Sequence, residues 1–184
     1  MKKIILISAV ALLVSFAGTA QENPIRIGVK LGKPNIAGLN AEYALPFIGG
    51  RLAPAIDFST LSVPTSLLDN PEVTYNYFGF GANFYFLGDG KGPYAHLGYG
   101  KIGVDAKYTS DGETADIDFD ANLFIAKLGI RKGKRFYFIS EIGWGLTSAD
   151  PEVVVQYDTF SETKKIPGFL VGGFIANTGF GVAF

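Results

Sequence analysis

The sequence predicts an all-β protein: an eight-stranded antiparallel up-and-down transmembrane β-barrel, preceded by a cleaved signal peptide. Three observations predict it. Apolar side chains recur at every second position through a series of short segments, with no helical period after residue 20. The links between segments mostly alternate between short turn sequences and longer polar ones. The chain also ends inside such a segment. "NTGFGVAF", Asn177–Phe184, sets Phe180, Val182 and Phe184 on one face of a strand and Gly179, Gly181 and Ala183 on the other.

The first element is "MKKIILISAVALLVSFAGTAQ". Lys2 and Lys3 precede an apolar run from Ile4 to about Ala17, and the small residues Gly18-Thr19-Ala20 follow. This is the three-part pattern of a secretory signal, with cleavage expected after Ala20. The run is short for a membrane-spanning helix, and no Cys follows it to carry a lipid. Residues 1–20 therefore read as signal peptide and residues 21–184 as one domain. Two lysines leave with the signal, so the formal charge moves from −1 to −3. That balance excludes an electrostatic case for nucleic acid. The chain has no Cys, which removes disulfides and thiolate metal sites.

The strands follow in order. Strand one, "IRIGVKLG", sets Ile25, Ile27, Val29 and Leu31 against Arg26 and Lys30. Strand two, about Ala37–Leu45, sets Leu39, Ala41 and Tyr43 against Asn40 and Glu42. Strand three, about Arg51–Leu61, sets Leu52, Ile56 and Phe58 against Asp57. Pro54 cannot donate to a ladder, so it is expected at a bulge or near the turn. Strand four, about Thr74–Leu87, sets Phe78, Phe80, Phe84 and Phe86 against Tyr77, Asn83 and Tyr85.

Strand five begins near Tyr94 and sets Leu97 and Tyr99 against His96. Its parity slips at Ile102 and Val104, which predicts a β-bulge near Lys101. Strand six, about Asn122–Arg131, sets Phe124, Leu128 and Ile130 against Lys127 and Arg131. Strand seven, about Arg135–Leu146, sets Phe136, Phe138, Ile142 and Trp144 against Tyr137 and Glu141. Strand eight, about Phe169–Phe184, closes the chain. Long polar loops are expected between strands three and four, five and six, and seven and eight.

A soluble barrel hides its apolar face inside. Here one face of nearly every strand is apolar and aromatic, and the other carries glycines and charges. Phenylalanines from most strands would crowd a narrow lumen. The inverse arrangement is therefore expected, with the apolar face on lipid and Arg26, Lys30, Glu42, Asp57, His96, Lys127, Arg131 and Glu141 in the lumen. Closure also satisfies the backbone, as lipid requires.

With these features the chain resembles the small eight-stranded outer-membrane barrels of Gram-negative bacteria, such as the OmpA membrane domain and OmpX, and it is porin-like in pattern. The resemblance covers the whole mature chain. It implies export through the general secretory pathway to the cell outer membrane, and contact with outer-membrane lipid and lipopolysaccharide. It also implies a monomer handled by the barrel-assembly machinery, with Phe180, Val182 and Phe184 as the assembly signal.

Motifs that carry chemistry are few. "GYGKIG", Gly98–Gly103, matches a dinucleotide fingerprint, but a strand pattern follows where a helix is required. "DIDFD", Asp116–Asp120, starts like a calcium loop, but Ala121 and Lys127 stand where Gly and Glu are needed. It reads as a solvated acidic loop, with divalent ions bridging it to lipopolysaccharide phosphates as the sharper reading. His96 is the only histidine, and no serine nucleophile motif accompanies it.

No catalytic residue, cofactor or metal is expected. The leading expectation is a non-enzymatic barrel with a polar plugged lumen and interactive outer loops. The alternatives are a small porin-like channel for ions or solutes and, third, an enzyme that modifies lipid A.

Overall fold

The computed structural model describes residues 23–63, 71–110, 113–147, 152–157, 161–165 and 172–184. The signal peptide and its cleavage site lie outside these residues.

The described residues form ten strands: β1 (Ile25–Lys33), β2 (Ile36–Tyr43), β3 (Leu52–Val63), β4 (Pro71–Tyr85), β5 (Gly92–Ser110), β6 (Glu113–Gly133), β7 (Phe136–Thr147), β8 (Glu152–Tyr157), β9 (Ser161–Lys165) and β10 (Gly173–Ala183). Eight of them close into an antiparallel barrel in the cyclic order β1-β2-β3-β4-β5-β6-β7-β10. The remaining two form a hairpin that pairs with the first residues of β6, through Ala115 with Tyr157 and Asp116 with Gln156. Among the described residues there is no α-helix.

The pairing fixes the shape of the barrel. From Leu123 on β6, the ladder passes to Gly100, Gly79, Asp57, Asn40, Gly28, Gly181 and Tyr137, and returns to β6 at Gly133, ten residues further on. A stagger of this size in eight strands tilts them by about 40° and leaves a bore that side chains can fill. The seam is held to the last residue, since Phe184 N–H donates to the Ile25 carbonyl at 2.8 Å.

Several expectations need correction. The link between strands five and six is no loop: β5 and β6 run 19 and 21 residues and pair without a break to Ser110 and Glu113. Asp116–Asp120 therefore lies within β6, where Asp118 and Asp120 are exposed and Phe119 between them is buried. The acidic stretch alternates like any strand, and its polarity marks a surface face. The polar link before β10 contains the β8–β9 hairpin, and the last strand begins at Gly173.

The bulge at Lys101 is absent. The registers of β5 with β4 and with β6 are continuous through that residue. The parity slip has another cause. The barrel interior is apolar at this level, so Ile102 turns inward while Lys101 turns out and pairs with Asp120 at 2.5 Å. Pro54 lies near the turn, beyond the last β2–β3 pair at Glu42 and Ala55, where no ladder on that side needs its missing donor.

Candidate functional site

The sheet's alternation separates two environments. Outside, large apolar side chains stand exposed around the barrel, among them Ile27, Leu39, Phe58, Phe80, Leu128, Trp144 and Phe180. Exposed Phe124 meets the half-buried Tyr99 edge to face, with ring centres 5.3 Å apart. Inside, the eight charged or ionisable residues named from the sequence are all buried: Arg26, Lys30, Glu42, Asp57, His96, Lys127, Arg131 and Glu141. The ladder brings them together from six strands, and they fall into two clusters.

The first cluster lies at the end of the barrel where β1 begins and β10 ends. Glu42 is its centre. Its carboxylate pairs with Arg26 at 2.5 Å and with Arg131 at 2.7 Å. Asn83 donates to it at 2.6 Å, and the Tyr85 hydroxyl donates at 2.9 Å. The Arg131 guanidinium lies 4.2 Å from the centre of the Tyr137 ring, a cation–π contact removed from water. Arg26 also donates to the Asp89 carbonyl at 3.1 Å.

The second cluster sits at mid-height. Lys30 bridges Asp57 at 3.1 Å and Glu141 at 3.3 Å. Lys127 meets Glu141 at 2.8 Å and Asp57 at 3.8 Å. Glu141 further accepts from the Tyr94 hydroxyl at 2.7 Å, and Asp57 accepts from Asn40 at 2.8 Å. Two cations face two carboxylates here, whereas two arginines share one carboxylate below. His96 lies beside this layer, its Nδ1 bonded to Asn83 Oδ1 at 2.7 Å.

Above the charges the interior carries a third layer. Tyr75, Tyr77, Ile102, Phe119, Leu123, Ile125 and Ile175 pack into one apolar cluster. Inward glycines make room for the rings. A Cβ at Gly79 or Gly100 would strike Tyr77, and one at Gly129 would strike Tyr94.

The charged half of this interior was readable from parity. The apolar lid was not, because Leu123 and Ile125 look like lipid-facing residues in isolation. The signal that could have found them is Lys127, whose parity they share.

"GYGKIG" lies inside β5 and carries no helix. Among the described residues, no three His, Cys, Asp or Glu side chains are grouped to hold a metal ion. Phe180 and Phe184 are exposed on the outer face of the last strand and its end, and Val182 is half-buried there.

No family model matches the chain, and no curated protein matches it. Among solved structures it is similar to the crystal structure of Acinetobacter baumannii CarO2. That match covers 90% of this chain and 100% of that one, at 9% identity and a TM-score of 0.44.

Proposed function

We propose that this chain is an integral outer-membrane barrel of a Gram-negative bacterium, non-enzymatic, closed to steady conduction, and interactive through its outer extension. The observation that carries the reading is the inverted polarity of the wall. Leu128 is 60% exposed while its neighbour Lys127 is 4% exposed. In water this arrangement would expose apolar surface around the barrel and bury eight polar groups. In lipid both faces are matched, and the closed ladder leaves no strand edge in hydrocarbon.

On this reading both termini face the periplasm, and the long ends of β5 and β6 project outward. A tilted strand crosses the bilayer in about 9–11 residues. Strands of 19 and 21 residues therefore continue well beyond it, carrying exposed Asp105, Lys107, Asp118 and Asp120 into the headgroup and outer solvent region. This extension, with the β8–β9 hairpin on its flank, is the surface offered to lipopolysaccharide or an external partner. His96 points into the lumen, whereas a lipid-modifying histidine would have to reach the lipid face.

The experiment is conductance. On this reading two ionic layers and an apolar layer block the bore in series, so the refolded protein in a planar bilayer is expected to show no steady current. Large, stable single-channel currents would replace this reading with the small-channel one.

A second prediction concerns assembly. Phe184 closes the β1–β10 seam through its backbone and presents its ring outward. Phe184→Lys is expected to lower the amount of heat-modifiable barrel in the outer-membrane fraction. Wild-type levels would remove Phe180, Val182 and Phe184 from the role of assembly signal.

A further inference from the structure

The charge in the lumen is not evenly balanced, and the excess is local. The mid-height cluster is neutral, with Lys30 and Lys127 facing Asp57 and Glu141. The cluster near the termini holds Arg26 and Arg131 against Glu42 alone. One positive charge is therefore buried there without a carboxylate. Buried charge is costly unless paired.

Arg131 shows the same deficit atom by atom. Its Nη2 meets Glu42, but Nε and Nη1 are buried with no hydrogen-bond partner. Arg131 is only 3% exposed, so bulk water does not serve them. The two arginines also line a recess of about 10 Å³, room for roughly one water-sized group. Lys91, Lys134 and Asn23 complete the polar lining, and no side-chain carboxylate is among the described residues that line it. Gly90 closes one side so tightly that a Cβ there would strike the Arg26 guanidinium.

The surroundings have the same sign. At this end of the barrel Arg51, Lys132, Lys134 and Arg135 are exposed, and Asp89 is the one exposed acid on its described turns. An anion approaching this mouth is therefore drawn toward it and finds two arginines and two lysines converging on a recess.

We propose that the recess between Arg26, Arg131, Lys91 and Lys134 binds a phosphate group, one oxygen of which enters it and supplies the missing counter-charge. An oxyanion suits a mixture of guanidinium and ammonium donors. The phosphate could be free or belong to a phospholipid headgroup of the adjoining leaflet. The chemistry is the same, and the test separates the two sources.

The folded protein is placed in zwitterionic detergent without chloride, at constant ionic strength held with sodium isethionate. Its thermal unfolding is followed as inorganic phosphate is added. A saturable rise in the midpoint is expected, since a ligand bound only by the folded state stabilises it. Lys91 and Lys134 are rim residues whose loss leaves the lumen pairs intact. Lys134→Ser should weaken apparent binding by about threefold, and the double change with Lys91→Ser by about tenfold.

Lys132→Ser removes an equal charge that does not line the recess and should change binding little. Short-chain phosphatidylglycerol is then added in place of phosphate. A larger rise with the lipid, less than additive with the rise from phosphate, assigns the site to a headgroup, and stabilisation by phosphate alone assigns it to the free ion. The proposal is overturned if neither ligand gives a saturable rise. It is equally overturned if Lys132→Ser weakens binding as much as Lys134→Ser.

Discussion

Glu42→Gln is expected to destabilise the folded barrel by about 3–5 kcal/mol, the cost of breaking a buried ion pair and leaving its partner uncompensated. The reason lies in the distribution of partners. Among the described residues Glu42 is the only carboxylate paired with Arg26 and Arg131, and it also accepts from Asn83 and Tyr85. Glutamine keeps the shape and one acceptor oxygen, so packing is conserved while the charge is lost. Asp57→Asn removes an equal charge but leaves Lys30 and Lys127 both paired with Glu141. It is expected to cost less, about 1–3 kcal/mol. Urea unfolding of each variant in lipid vesicles measures both. Equal losses would mean that the two clusters share their charge as one network and that the separation by height has no energetic content.

The comparison of Glu42 with Asp57 also shows what parity can and cannot tell. Alternation alone places Arg26, Lys30, Glu42, Asp57, Lys127, Arg131 and Glu141 on one face, because the side-chain period of a strand is two. It cannot say which carboxylate meets which cation. That depends on the stagger of the ladder, which is a property of closure and of eight registers at once. The stagger brings Glu141 on β7 to Lys30 on β1, two residues that lie far apart in the chain.

The missed elements have one physical origin. At Ile102 the rule of polar inside and apolar outside fails, because the interior at that level is apolar. The packing of Ile102 against Tyr75, Tyr77 and Leu123 reverses the rule, so a continuous strand looked bulged. The same reversal made "TADIDFDA" read as a loop. Outside a bilayer the outer face of a barrel strand meets water, and Asp118 and Asp120 are then the ordinary outward residues. Gly, Asp and Thr near a hairpin tip weaken the strand signal further. Pairing over the full length of β5 and β6 outweighs that propensity.

Leu128→Arg tests the claim on which the others rest, namely which side of the wall meets lipid. Leu128 stands on the outer face of β6, 60% exposed, between Ala95 on β5 and Ile142 on β7. Its neighbour Lys127 points inward to Glu141. If the outer face lies in hydrocarbon, an arginine at position 128 near mid-depth is expected to cost about 2–4 kcal/mol. In water the same change on an exposed position would cost almost nothing, and replacing an exposed leucine would improve solubility. Urea unfolding in vesicles gives the size of the effect. Nitroxide labels give its cause. A label at position 128 should be relaxed by oxygen dissolved in lipid and shielded from a water-soluble nickel complex. A label at exposed Asp118, on the same face of the same strand but beyond the apolar band, should show the opposite preference. A lipid signature at both positions would move the membrane boundary outward along β6. A water signature at both would remove the barrel from the bilayer altogether, and the sign of the Leu128→Arg effect would change with it.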